Sequence, residues 1–146
     1  MNELLVSQCQ EILNESDKLA AICNAVAFLY DQTENINWLG IYIHKNKELV
    51  LGPFQGKIAC THLKIGHGVC GTSFERKLLL NVEDVHKFPG HIACDAASNS
   101  ELVVPLLYQN KCLGVLDIDS PLYSRFTLDD EITFEAIAHQ IAERLI

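Results

Sequence analysis

The sequence predicts an α+β fold: a central antiparallel sheet with helices from both chain ends packed on one face, and a long loop region roofing a pocket on the other. Three observations carry that expectation. Apolar residues recur at helical spacing at both ends, two strand pairs joined by short polar turns occupy the middle, and residues 56–99 between the pairs show little periodicity of either kind.

Leu4, Leu5, Cys9, Ile12 and Leu13 recur at helical spacing before Asn14-Glu15-Ser16-Asp17 interrupts them. Ser16 or Asp17 then caps a second helix whose stripe is Leu19, Ala20, Cys23, Val26 and Leu29. At the other end Thr127 is the expected N-cap. Asp129, Asp130 and Glu131 suit the positive first turn, and Phe134, Ile137, Ala138, Ile141 and Leu145 form the apolar stripe. Trp38 to His44 and Glu48 to Phe54 read as strands around Lys45-Asn46-Lys47. Leu102 to Tyr108 and Cys112 to Asp119 read as a second pair around Gln109-Asn110-Lys111. No repeat or interdomain linker divides the chain, so residues 1–146 are read as one domain.

Composition narrows the function. Apolar residues at 49% and charged residues at 21% describe a globular chain with a real core. A net charge of −8 without a basic stripe argues against nucleic acid and anionic membranes as partners. The N-terminus lacks the basic start and continuous apolar run of a secretion signal, and no stretch has the length of a membrane span. The expected location is therefore the cytoplasm, where thiols stay reduced and six cysteines call for an explanation other than a disulfide framework.

Strand alternation sorts the middle of the chain into two faces. Leu39, Ile41 and Ile43 belong under the helices, which turns Trp38, Gly40, Tyr42 and His44 the other way. Those aromatics line either a small-molecule pocket beneath the loop or a second small core. On the last strand Gly114, Leu116 and Ile118 take the helix side, so Asp117 and Asp119 share the opposite face. Glu101 opens the neighbouring strand, and counting back from the turn brings it near Asp119. Three clustered acids hold a shared proton at a raised pKa, which is what a general acid needs.

Sulfur forms the third cluster. Cys9, Cys23 and Cys112 fall on apolar faces and read as small hydrophobes. Cys60, Cys70 and Cys94 lie in the irregular region beside Gly, His and Asp, where the core does not require them. One explanation is zinc, since each of the three has a histidine two or three residues away, yet no recurring ligand knuckle supports it. The other is redox chemistry, in which one thiolate attacks and a second resolves the product as a disulfide.

Longer strings go beyond spacing. Asn37-Trp38-Leu39-Gly40-Ile41-Tyr42, Leu51-Gly52-Pro53-Phe54-Gln55-Gly56-Lys57 with Ala59-Cys60, and Gly68-Val69-Cys70-Gly71-Thr72 are three of them. Asp84-Val85-His86 and Phe88-Pro89-Gly90-His91-Ile92-Ala93-Cys94-Asp95 follow. Ser98-Asn99-Ser100-Glu101 and Gly114-Val115-Leu116-Asp117-Ile118-Asp119-Ser120 complete the set. Together they resemble the free methionine-(R)-sulfoxide reductases, small enzymes of the GAF fold, over nearly the whole chain.

The resemblance implies that Cys94 is the nucleophile toward the sulfoxide sulfur of free methionine sulfoxide. It makes Cys60 the main resolving thiol, with Cys70 able to assist, and thioredoxin the final reductant. Trp38 and Tyr42 would hold the ε-methyl group. Glu101, Asp117 and Asp119 would bind and polarise the sulfoxide or hold the ammonium group, while backbone N–H groups around Cys94 meet the carboxylate. His67 stands where relatives often carry Arg, and His91 either lowers the Cys94 pKa or bonds within its own loop. No cofactor and no metal are implied, and the family suggests a homodimer. The rivals are a ligand-sensing GAF module without chemistry and a zinc protein built on the Cys/His pairs.

Overall fold

A computed structural model describes residues 1–91 and 95–146. Both ends are helical: α1 (Glu3–Leu13) and α2 (Lys18–Gln32) precede the sheet, and α4 (Leu128–Glu143) follows it. Between them run β1 (Trp38–Lys45), β2 (Glu48–Gly56), β3 (His62–Leu63), α3 (Gly68–Arg76), β4 (Leu80–Val82), a 3-10 turn (Val85–Lys87), β5 (Ser100–Tyr108) and β6 (Lys111–Ser120). The strands form one antiparallel sheet in the order β3-β2-β1-β6-β5-β4.

The helix ends follow local chemistry. Asp17 caps α2 by accepting from the Ala20 N–H. Thr127 caps α4 in a capping box: its hydroxyl oxygen accepts from the Asp130 N–H, and the Asp130 carboxylate accepts from the Thr127 N–H. Both hairpins turn on two residues with left-handed φ, Asn46-Lys47 and Gln109-Asn110, whose twist matches that of the paired strands.

Leu39 and Ile41 of β1, Leu102, Val104 and Leu106 of β5, and Leu116 and Ile118 of β6 pack under α1, α2 and α4 as the main core. Leu5, Cys9 and Leu13 of α1 and Phe134, Ile137, Ala138 and Ile141 of α4 are buried as expected, whereas the α2 stripe is rotated from its expected position. Ala21, Ile22, Ala25, Val26 and Leu29 are buried on α2, whereas Leu19 and Cys23 are exposed, and Leu4 of α1 is exposed as well. Two small alanines let α2 approach closely along the 21/25 line. The bulky Leu19 invites the wrong face when hydrophobicity alone is weighed. The irregular region also holds more order than expected: α3 and two short strands lie within it, and Cys70 is on a helix rather than a loop. Glycines at 68 and 71 hide that helix from a propensity reading. Among the described residues no helix is long and apolar enough to cross a membrane.

Two bulges decide which side chains reach the other face. In β2 the register against β1 slips across Gly52-Pro53, so Leu51 and Phe54 both turn away from the helices. In β6 it slips across Leu113-Gly114 against β5, opposite the stretch Pro105–Leu107. Leu113 instead of Cys112 therefore packs toward the helix-side core, which corrects the placement of Cys112; that thiol is buried all the same.

Candidate active site

The second bulge builds the acidic cluster. The turn pairs Tyr108 with Lys111, a register that would set Glu101 opposite Ile118; the slip sets it opposite Asp119 instead. The rows across the sheet are then Trp38–Asp119–Glu101 and, one step along, Gly40–Asp117–Val103. Trp38, Tyr42, Glu101, Asp117 and Asp119 line one pocket, roofed by residues 58–70 and walled by His91, Asp95 and Ser98.

The aromatic side is tightly set. Trp38 stacks on Phe54 at 5.4 Å and on Tyr42 at 6.0 Å between ring centroids. Its indole N–H donates to the Lys57 carbonyl at 3.1 Å, and the Tyr42 hydroxyl donates to the Cys60 carbonyl at 2.9 Å. Gly40 makes the stack possible, because a Cβ there would lie 2.4 Å from Phe54 Cβ and 2.7 Å from Trp38 Cη2. Burial, reinforced by the nearby acids, raises the Tyr42 pKa and keeps the phenol protonated.

On the acidic side, burial above all raises the Glu101 pKa well beyond the carboxylate range, with Asp117 and Asp119 adding repulsion. Asp119 is likewise raised well up, by burial and then by Asp117. Asp117 is raised less, because bonds from Glu101 and Cys70 oppose its desolvation. Burial and mutual repulsion thus favour the protonated form across the cluster. Asp117 also keeps one buried oxygen, Oδ1, with no hydrogen-bond partner. His91 Nε2 lies 3.9 Å from Glu101 Oε1, and burial lowers its pKa, so the imidazole is neutral at pH 7.

The cysteines divide by environment. Cys60, on the pocket roof, is disulfide-bonded. Cys70 is a free buried thiol on α3, 3.9 Å from Glu101 Oε2, and burial with the neighbouring acids pushes its pKa well up. The expected nucleophile, Cys94, lies outside the described residues. Asp95, next to it in sequence, accepts a bond from Asn37 Nδ2 at 3.0 Å, and the same amide donates to Ser98 Oγ. Of the Cys/His pairs considered for zinc, His62 is exposed and paired with Glu48 at 2.7 Å on the outer edge of the sheet.

Comparison with known proteins fits this arrangement. Residues 5–145 match the GAF domain family. The free methionine-R-sulfoxide reductase of Escherichia coli (strain K12) is 50% identical over 131 residues, covering 90% of this chain and 79% of that protein. The chain belongs to the free methionine-R-sulfoxide reductases of the GAF family.

Two solved members of that family superpose closely. The reduced form of fRMsr from Staphylococcus aureus has a TM-score of 0.92 at 46% identity, covering 99% of this chain and 94% of its own. The free methionine-R-sulfoxide reductase of Neisseria meningitidis, solved in complex with its substrate, has a TM-score of 0.90 at 36% identity, covering 96% and 85%. Measured against this reductase fold, the sequence reading names Trp38, Tyr42, Glu101, Asp117, Asp119 and Cys70, and the structure brings all six together. It misses Gly40, Phe54 and Asn37 as shaping residues. Asn37 and Gly40 stand within the string that carries the resemblance, but what they touch depends on bulge and loop geometry.

Proposed function

We propose that the chain reduces free L-methionine-(R)-sulfoxide to L-methionine with its own thiols. The observation that carries this reading is the trio of buried carboxyls, Glu101, Asp117 and Asp119, facing an aromatic wall in a pocket whose roof holds a disulfide-bonded cysteine; burial raises the pKa of all three. A sulfoxide oxygen leaves only once protonated, so a buried neutral acid beside it lowers the barrier. The ring faces of Trp38 and Tyr42 suit the ε-methyl group, which carries partial positive charge next to sulfur. The unpartnered oxygen of Asp117 suits the ammonium group of a free amino acid.

In this scheme the Cys94 thiolate attacks the sulfoxide sulfur. A carboxyl proton reaches the oxygen, the resulting hydroxyl passes from the substrate sulfur to the Cys94 sulfur as the new S–S bond and the old S–O bond break, and methionine departs as the thioether, leaving Cys94 as the sulfenic acid. A second thiol then forms a disulfide with Cys94 and releases water. Cys60 is the better resolver, since the Cys70 thiol is buried among acids that oppose its ionisation. A thioredoxin dithiol restores both cysteines by exchange. A ligand sensor needs no such acids and no disulfide at its roof.

The direct experiment follows methionine release from each epimer with thioredoxin as reductant. Turnover of the R epimer, absent with the S epimer and abolished in Cys94→Ser, is the expected outcome. Failure with both epimers by the fully reduced chain would return the pocket to ligand sensing.

A further inference from the structure

Cys70 of α3, Glu101 of β5 and Asp117 of β6 are all buried, and each offers a ligand atom within 4.8 Å of the other two. We propose that this cluster binds one Zn²⁺ ion. The donor set is one sulfur and two carboxylates, a borderline-soft combination that suits zinc better than the all-oxygen cages of calcium or magnesium. His91 Nε2, 3.9 Å from Glu101 Oε1, stands beside this set as the candidate for a fourth ligand.

The second observation pointing to a cation is the orphaned Asp117 Oδ1. Asp117 is 5% exposed, lines the pocket, and leaves this oxygen without a donor. A buried acceptor left so keeps its full desolvation penalty, which is larger still when it is charged. A dication satisfies it and offsets the mutual repulsion of the three carboxyls at once. Tetrahedral zinc with bonds of about 2.0–2.3 Å sets its ligands roughly 3.3–3.8 Å apart, so atoms now within 4.8 Å of one another draw in by up to about 1.5 Å. Cys70 is free while Cys60 is in its disulfide, so this site stands ready in the oxidised chain. Bound zinc also occupies the oxygen assigned above to the substrate ammonium, so metal and methionine sulfoxide exclude each other. That last consequence rests on the proposed function; the metal site does not.

The test titrates metal-free, full-length chain in its disulfide form with ZnCl₂ against a chromophoric chelator. One zinc per chain is expected, with affinity falling on the order of 100-fold in Cys70→Ser and in Asp117→Asn and about 10-fold in His91→Ala. X-ray absorption of the complex should show one sulfur at about 2.3 Å and the remaining ligands as nitrogen or oxygen at about 2.0 Å. No binding by the wild type, or binding without a sulfur ligand, or affinity unchanged in Cys70→Ser with native circular dichroism, overturns the site. Zinc that binds through sulfur yet is not displaced by methionine sulfoxide leaves the site standing and counts instead against the substrate assignment.

Discussion

Glu101 shows how one residue trades stability for chemistry. Its pKa is raised in the folded chain by burial and by Asp117 and Asp119, so the native state holds the proton more tightly than the unfolded chain does. The contribution of such a group is fully present below the unfolded value of about 4.3 and is lost as pH rises through the raised folded value. Glu101→Gln keeps the shape and removes the ionisation. Its melting temperature should exceed the wild type's by an amount that grows with pH, reaching about 2–4 °C or more at pH 8, the shift that about 1 kcal/mol produces in a chain of this size. Turnover should fall by about 10²–10⁴, mostly in kcat, because an amide cannot give a proton to the departing oxygen. Melting curves from pH 5 to 9 beside steady-state kinetics check both halves. A variant no more stable at pH 8 than at pH 5 would mean that Glu101 is ionised in the fold.

The strands owe their function to two register slips. Without the slip at Gly52-Pro53, Phe54 would not lie under Trp38; without the slip at Leu113-Gly114, Glu101 would face away from Asp119. Between them lies Gly40, which pairs with Phe54 on one side and Asp117 on the other and leaves room for the indole. Gly40→Ala forces Trp38 off Phe54 or β1 away from β2. It should cost about 1–3 kcal/mol in urea denaturation and raise KM for the sulfoxide by more than it lowers kcat, since the acids stay in place. Unchanged KM would detach the aromatic stack from substrate binding. The same strands show what the sequence exposes and what it hides. Alternation of side chains reveals Leu39 and Ile41 as core, and Asp117 with Asp119 as face-mates, because that period is local. Cys112 is assigned to the wrong face because a bulge changes the parity, and nothing in Lys111-Cys112-Leu113-Gly114 announces it. On α2 the Leu19–Cys23 line competes with the Ala21–Ala25 line, and only packing against the sheet decides between them.

At the scale of the whole molecule, the sheet separates two cores of different character. The helix side buries Phe134, Ile137, Ile141, Leu29, Leu39 and Leu106 almost completely. The pocket side is smaller, mixes Trp38, Tyr42 and Cys70 with carboxyls, and is closed by a roof. That roof is fastened by the bonds from Trp38 and Tyr42 to the Lys57 and Cys60 carbonyls, and by the disulfide at Cys60. Such an arrangement opens locally at lower cost than it unfolds globally, since releasing the roof exposes little of the apolar core. Reduction of the disulfide should therefore speed amide exchange across residues 57–63. Protection of Leu102–Leu107 in β5 and Ile137–Ile141 in α4 should change little. Hydrogen exchange of reduced and oxidised chain, read by mass spectrometry, gives the comparison. A roof that loosens alone gives the reduced chain its entrance for substrate, and the disulfide then closes that entrance until the reductant arrives. Uniform loss of protection on both sides of the sheet would instead make the disulfide a staple of the whole fold and require another route into the pocket.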